Sequence, residues 1–319
     1  MQSLLFFGKS NSIVGKLLKK KFKKYNIKII FFSKKKSYLK NTITNQKTKI
    51  DFLWTNFGFV INNEILDLIN NPKLVIISQT TGLTHINFNK KKYSKIKILS
   101  LKNDNTFLKL IPSTAEHTFA LFLTLAKNIL SSFEDVQKMN WRRNLFLGLE
   151  IKGLSFGIIG YGRIGKILGK IAKSFGMKIL FYDVTGKKTQ ISLNELLKKS
   201  DVVSLNIDYK LKNKNFFNKF HFNKMKKTSY FINTSRGENV NQKDLLIAIK
   251  RKKIAGAALD VLQDDSSWYN KIPNKSRDVI NYSKKNSNLL ITPHIGGYTK
   301  QALENTFERI ANKMIKFIK

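Results

Sequence analysis

The chain has 319 residues, with 59 basic against 20 acidic side chains for a net charge of +39, and 42% apolar residues. That length suits two ordinary domains with separate cores, and that apolar share is too high for a disordered chain. The absence of cysteine excludes disulfides, thiolate metal sites and cysteine nucleophiles, and it fits a reducing compartment.

The opening MQSLLFFGKS lacks the basic start and apolar length of a signal peptide. The longest apolar stretches, such as FALFLTLA from Phe119, are far too short to span a bilayer. The expectation is a cytoplasmic protein with no membrane partner. Within the first hundred residues SLLFFG, IKIIFFS, IDFLWTNFG, KLVIISQ and IKILSL read as buried strands, separated by helix-like NSIVGKLLKKKFKKY and NNEILDLINN. Such alternation predicts a mainly parallel sheet covered on both faces. KSNSIVGK lacks the spacing of a phosphate loop.

One long helix is then predicted from Pro112 through STAEHTFALFLTLAKNILSSFEDVQKMNW, opened by a reciprocal cap between Ser113 and Glu116. A similar cap recurs at Ser192 and Glu195. Strand–helix alternation resumes through GLSFGIIG, ILFYD, LNELLKK, DVVSLNI, SYFINTS, NQKDLLIAIKR and IAGAALDV. A polar, lysine-rich segment from Gln263 to Asn288 precedes LLITPHIGG, and an amphipathic helix closes the chain.

The positive charge invites a nucleic-acid reading, but only seven of the basic residues are arginine and none precedes Arg142. Nucleic-acid readers lean on the bidentate guanidinium. Lys, Asn, Ile and Phe are all abundant and all have AT-rich codons, so the excess reads as coding bias on solvated faces. Nucleic acid is not expected as a partner, whereas attraction of anionic substrates follows from the charge.

IIGYGRIGK places Gly160, Gly162 and Gly165 in the GxGxxG spacing after an apolar strand and before an amphipathic helix, and a second strand ends in Asp183. Gly160 permits the tight turn, Gly162 lets the backbone approach a pyrophosphate, and Gly165 lets helix and strand pack closely. The helix N-terminus favours phosphate, and Asp183 is placed to accept from ribose hydroxyls and repel a 2′-phosphate. NAD is therefore expected over NADP, a preference that Lys187 and Lys188 weaken slightly.

Of the four histidines, His294 in ITPHIGG stands out, because it follows an apolar strand and has glycines around it. His117 reads as a cap or interface residue, His85 as a cleft-lining residue, and His221 as incidental. Arg236 in FINTSRGENV and Asp260 in IAGAALDV each follow an apolar strand, where open parallel sheets place ligands. An arginine there suits a carboxylate fork, and Asp265 follows shortly after Asp260.

The ordered set TTGLTHI, STAEHT, GIIGYGRIG, KSFGMK…YD, SDVVSL, INTSRGENV, IAGAALDV and TPHIGG closely resembles the D-isomer-specific 2-hydroxyacid dehydrogenases over nearly the whole chain. The resemblance implies an α/β protein of two Rossmann-like domains with parallel sheets, the cofactor domain being inserted into a flavodoxin-like substrate domain. Residues 1–104 and 293–319 would form the substrate domain and 105–292 the NAD-binding domain. It implies hydride transfer between C2 of a 2-hydroxy or 2-keto acid and nicotinamide C4. Arg236 would hold the substrate carboxylate, His294 would be the general acid/base, and Asp265 would support it. Backbone amides near Thr81 and Gly82 would grip the carboxylate. Thr234 and Asp260 would orient the nicotinamide carboxamide, Arg163 and Ile164 would lie on the pyrophosphate, and Asp183 on the adenosine ribose. No metal is implied, and a homodimer built through the cofactor domain and its long helix is.

The family usually has glutamate where this chain has Asp265, and often proline where it has Ser266. Its SLHVP becomes SLNID, with Asn206 and Asp208 replacing the histidine and proline. Asp265 argues against the formate-oxidising chemistry, while glyoxylate, hydroxypyruvate, lactate-type and 3-phosphoglycerate substrates stay open. The competing reading is an NAD(H)-sensing, corepressor-like binding protein without turnover.

Overall fold

Strand β1 (Gln2–Phe7) shows how the first sheet is made. Its apolar run has no polar alternation, and its side chains leave in both directions into buried surroundings. Leu4 and Phe6 join one core layer, Leu5 and Phe7 the other. Both faces of this strand must therefore be covered, the condition of a parallel α/β sheet. A computed structural model describes all residues except 34–37, 47–48, 57, 187–189, 269–271 and 319.

The chain divides into two units: Met1–Leu108, Ser266–Lys271 and Thr299–Lys319 form the first, and Lys109–Asp265 with Ile272–Tyr298 the second. In the first, β1, β2 (Ile27–Phe32), β3 (Phe52–Thr55), β4 (Val75–Ser78) and β5 (Lys97–Ser100) are all parallel, in the order β2-β1-β3-β4-β5. This is the flavodoxin-like order, with its switch point between β1 and β3. The helices of this unit are α1 (Ile13–Phe22), α2 (Leu39–Gln46), α3 (Asn63–Ile69), the short α4 (Asn105–Leu108) and the C-terminal α12 (Lys300–Ile315). Helix α12 adds Phe307, Ile310 and Met314 to the layer of Leu4 and Phe6, and Phe307 stacks on Trp54 at 5.3 Å between centroids. Ile65, Leu66 and Ile69 of α3 line the opposite layer. Burying each such side chain contributes about 1.5–3 kcal/mol.

The second unit contains β6 (Ser155–Ile159), β7 (Lys178–Tyr182), β8 (Val202–Leu205), β9 (Tyr230–Asn233), β10 (Gly256–Leu259) and β11 (Leu289–Ile291), parallel throughout in the order β11-β10-β9-β8-β6-β7. Its helices are α5 (Ser113–Ala126), α6 (Ile129–Gln137), α7 (Arg163–Ser174), α8 (Leu193–Lys199), α9 (Lys219–Phe222), α10 (Gln242–Lys250) and α11 (Arg277–Lys285). From β6 the chain goes out to β7 and returns to β8 on the other side, so the switch point lies between β6 and β8. Phe119, Phe122 and Leu125 of α5 and Leu168 of α7 cover one face of this sheet.

Two expectations need correction. The long helix is two, because Asn128 adopts φ 53° and interrupts the helical path between α5 and α6. Its amide side chain donates to the Leu147 carbonyl at 3.0 Å, and Leu149 N donates to the Ala126 carbonyl at 2.7 Å, so the returning chain satisfies the helix end. Asparagine tolerates this left-handed conformation well. The Ser113–Glu116 cap is not made: Ser113 is the first helical residue and Pro112 holds the cap position, with no side-chain cap hydrogen bond. The cap at Ser192 is made, with Glu195 N donating to Ser192 Oγ at 3.2 Å. The lysine-rich stretch before β11, for which the sequence reading named no element, contains α11, whose Asp278 in the first turn and Lys284 and Lys285 in the last suit the helix dipole.

Asp104, 9% exposed, ties α12 to the turn after β5. Arg309 donates to it from Nε at 2.7 Å and from Nη2 at 3.0 Å, and Lys313 lies 3.0 Å away. The Arg309 hydrogen bonds, aided by Lys313, hold the Asp104 carboxyl down at about 2. A depressed carboxyl stabilises the fold above its unfolded value near 4 and loses that contribution as pH falls through about 2. Asp104→Asn is expected to cost about 1–2 kcal/mol at pH 7, with allowance for the half-exposed guanidinium. The gap between variant and parent, measured by urea titration, closes as pH falls from 4 toward 2.

Candidate active site

The nucleotide loop is fixed by three glycines with three different neighbours. Gly160 follows β6 with φ +90°, and a Cβ on it would meet the Asn206 carbonyl oxygen at 2.6 Å. A Cβ on Gly165 would overlap the Gly160 carbonyl oxygen. A Cβ on Gly162 would meet nothing within 4 Å. Gly162 is the N-cap of α7, and its side-chain direction opens into space beside the helix N-terminus, the cradle a pyrophosphate requires. Arg163 and Ile164 begin α7. Burial pulls the Arg163 guanidinium down from its ordinary value, and the Asp208 charge opposes this.

Asp183 sits just beyond β7, half-buried, with Oδ1 accepting from Thr185 N at 3.0 Å and Thr185 Oγ1 at 2.7 Å, while Gln190 Oε1 accepts from Asp183 N. That turn fixes the carboxylate at the strand end, the position from which ribose hydroxyls are held. Lys187 and Lys188 lie outside the described residues. The residues therefore fit NAD: an open cradle at a helix N-terminus and an oriented acid at the next strand end.

The loops after β9, β10 and β11 carry Arg236, Asp260 and His294. Asn233 closes β9 fully buried, accepting from Ser235 N and Oγ and donating to the Arg236 carbonyl at 3.0 Å, so the loop that bears Arg236 is wound around it. Arg236 Nη1 donates to the Ser235 carbonyl at 2.6 Å. Thr234 Oγ1 lies 2.7 Å from Thr118 Oγ1, and Thr118 donates its one hydroxyl proton to the Thr114 carbonyl. Thr234 must then donate to Thr118, which leaves its lone pairs as acceptors.

Asp260 follows β10 at 1% exposure and organises the turn after β11. Oδ1 accepts from Thr292 Oγ1 at 2.6 Å and Ile295 N at 2.8 Å, and Oδ2 accepts from Gly296 N at 2.7 Å. Burial alone would raise this carboxyl, but His117, Thr292 and the two amides outweigh it and hold it below the usual range. His294 lies inside this turn at φ 56°, its N–H shared between the Asp260 and Thr292 carbonyls. Its Nδ1 is 2.8 Å from Asp265 Oδ2, which also accepts from Leu262 N at 3.2 Å. The second unit thus brings Asp260, Asp265 and His294 together, with Arg236 and Thr234 on the loop after neighbouring β9.

Thr81 and Gly82 belong to the first unit, in the loop after β4, where Thr80 Oγ1 donates to the Gly82 carbonyl at 2.8 Å. His85 is buried in that unit, 3.4 Å from Ser78 Oγ. His221 packs on Phe216 and Phe217. Sequence reasoning missed the contact of His117, read as a cap or interface residue, with Thr292 at 3.1 Å and Asp260 at 3.3 Å. Its only sequence signal is its place on α5, one turn before Leu121 of the core-facing stripe.

Comparison with known proteins gives the family and the fold. The family model described as D-isomer specific 2-hydroxyacid dehydrogenase, NAD binding domain, matches residues 119–296. A glyoxylate reductase of Thermococcus litoralis is 33% identical over 287 residues, covering 85% of this chain and 81% of that one. A D-3-phosphoglycerate dehydrogenase of Haemophilus influenzae is 32% identical over 253 residues, 77% of this chain and 59% of that one. Among solved structures, D-lactate dehydrogenase from Aquifex aeolicus, complexed with NAD and lactic acid, superimposes with a TM-score of 0.82 at 28% identity, covering 99% of this chain and 95% of that one. The chain belongs to the D-isomer-specific 2-hydroxyacid dehydrogenase family, and its cofactor is NAD. No helix among the described residues is long and apolar enough to cross a membrane.

The glycines separate fold from ligand. Gly162→Ala, whose methyl meets no protein atom, is expected to leave the melting temperature within about 2 °C while weakening NADH binding at least about tenfold. Gly165→Ala is expected to lose about 1–3 kcal/mol of stability from overpacking. Thermal melts and NADH fluorescence titration read both.

Proposed function

We propose that the protein interconverts a small D-2-hydroxy acid and its 2-keto acid, with His294 as acid/base and Arg236 as the carboxylate clamp. The observation that carries this is the His294 Nδ1–Asp265 Oδ2 pair, held at 2.8 Å on a turn that Asp260 shapes. NAD supplies hydride acceptance and donation at its nicotinamide. The protein's own work is to hold the acid, orient the cofactor's amide and move one proton.

In keto-acid reduction, the Arg236 fork takes the substrate carboxylate and polarises the keto oxygen. His294 passes its Nε2 proton to that oxygen as the alcohol forms. Asp265 accepts from Nδ1–H, which fixes the tautomer and stabilises the imidazolium before transfer. In the oxidative direction Nε2 takes the proton back. The Thr234 hydroxyl, with its lone pairs available, accepts from the carboxamide of NAD, and Asp260 Oδ2 stands at the next strand end for the same group. Gly160, Gly162, Arg163, Ile164 and Gly165 hold the pyrophosphate, and Asp183 the adenosine ribose.

Small 2-keto acids are favoured as substrates because glyoxylate and lactate are the acids of two of the three relatives named above, the third being a D-3-phosphoglycerate dehydrogenase. NADH oxidation is measured with glyoxylate, pyruvate, hydroxypyruvate and 3-phosphohydroxypyruvate. Turnover on at least one is expected. Arg236→Ala should lower kcat/KM about 10²–10⁴-fold, the loss of two charge-assisted hydrogen bonds at about 1.5–3 kcal/mol each, with NADH affinity retained. NADH bound by the parent with no turnover on any acid would instead support the sensing role.

We further propose that the protein is a homodimer through α6 and the arm that follows it. Phe133 is 59%, Met139 94%, Trp141 86% and Leu147 90% exposed, an apolar run far beyond scattered surface residues. Arg142 forks onto the buried Asp135 and fixes the turn between helix and arm. The segment 129–149 carries Glu134 and Asp135 against Lys138, Arg142 and Arg143, nearly neutral in a chain of net charge +39. A like-charged copy therefore meets little repulsion there. Light scattering should give twice 36.8 kDa for the parent and 36.8 kDa for a Phe133→Glu/Trp141→Glu variant. A monomeric parent overturns the assembly.

A further inference from the structure

We propose that His117 is a positioning residue for the reaction: from α5 it locks the Asp260 carboxylate, and through it the turn that presents His294. The inference rests on the acid/base reading of His294 given above.

The hydrogen-bond polarity around His117 has one solution. Thr292 has a single hydroxyl proton, and it goes to Asp260 Oδ1 at 2.6 Å. Asp260, held ionised by its donors, only accepts. His117 Nε2, 3.1 Å from Thr292 Oγ1 and 3.3 Å from Asp260 Oδ1, must therefore carry a proton and share it between the two oxygens. The ring is thus a donor from α5 to a carboxylate at the end of β10 and a hydroxyl at the end of β11.

The same carboxylate accepts from Ile295 N and Gly296 N, the two residues after His294, and the Asp260 carbonyl accepts from His294 N at 2.8 Å. His294 is held on both sides by one residue, and that residue is anchored from outside the turn by His117. Space is also tight: a Cβ on Gly296 would lie 2.9 Å from Asp260 Oδ2 and 3.5 Å from His117 Cδ2. The imidazole is both a wall and a donor. Without it Asp260 keeps its acceptor load but loses the link that fixes its rotamer against α5, and the left-handed His294 loses rigidity.

The test uses His117→Leu, which keeps bulk without a donor, and His117→Gln, whose amide nitrogen stands in for Nε2. Amide exchange of the segment containing Ile295 and Gly296 is read by mass spectrometry. Exchange there should be roughly tenfold faster in His117→Leu and close to the parent in His117→Gln, with the core strands unchanged. On the best keto acid, His117→Leu should lower kcat about 10- to 100-fold, as expected for a reactive group displaced by up to about 1 Å. His117→Gln restores most of it. Should His117→Leu fail to fold, Thr292→Val removes the bridging hydroxyl and must speed exchange in the same segment. Parental protection in the Leu variant, or in Thr292→Val where that one is needed, overturns the proposal. Because exchange is read without substrate, a parent that turns over no keto acid sinks the catalytic reading and leaves the positioning result standing.

Discussion

One buried carboxylate governs the chemistry-bearing half of this molecule. Asp260 follows an apolar strand at 1% exposure, where an unpaired charge would be costly to keep. The chain satisfies it by bending the segment after β11 around it, so that Ile295 and Gly296 point their amides inward. The bend forces His294 to φ 56°, a conformation that costs an ordinary L-residue about 1–2 kcal/mol. Hydrogen bonds to a charged acceptor are worth about 1.5–3 kcal/mol each, so the strain is outweighed several times over. The unusual backbone of His294 is thus a consequence of where Asp260 sits.

Topology explains why these groups collect where they do. In a parallel sheet every strand delivers its following loop to the same edge, and Gly160, Asp183, Asn206, Thr234, Asp260 and Thr292 all stand just beyond the C-terminal ends of their strands. The reversal of strand order between β6 and β8 parts the loops there, and that is where Gly162 opens onto space. Asn206 serves that loop in its own way: its carbonyl lies against Gly160, and its side chain donates back to Ser204. Buried Asn239 donates to the Ile207 carbonyl at 3.0 Å and so ties this loop to the one that carries Arg236. The departure SLNID is accommodated by local side-chain bonds.

The strands were legible because a fully buried parallel strand writes an unbroken apolar run, and the glycine loop because each glycine answers a separate steric demand. What escaped was whatever depends on contacts distant in sequence. Asn128 breaks the long apolar helix only because the chain returns through Leu147 and Leu149 to meet its end. Helix α11 buries Val279 alone among its described residues and is set in a lysine-rich stretch, so its short apolar face does not stand out in the sequence. Ser113 has the residue pattern of a cap, but the helix begins one residue earlier than that pattern requires. His117 lies 143 residues from Asp260, and nothing local marks it as that residue's donor.

Asp265 is the sharpest case of a sequence departure whose meaning lies in the backbone. An aspartate reaches about one methylene less far than the family's usual glutamate, and on an unchanged main chain it would fall short of the imidazole. Here the chain turns tightly between Leu262 and Asp265: Asp265 N donates to the Leu262 carbonyl at 3.1 Å, and Asp264 adopts φ 60°. The turn draws the main chain in by bonding at both of its ends, since Asp265 Oδ2 also accepts from Leu262 N. The carboxylate arrives 2.8 Å from Nδ1 with one fewer rotatable bond to immobilise. In this chain the shorter acid, on a turn closed between Leu262 and Asp265, reaches the His294 ring nitrogen. The geometry of the pair, not the identity of the acid, is what the fold maintains.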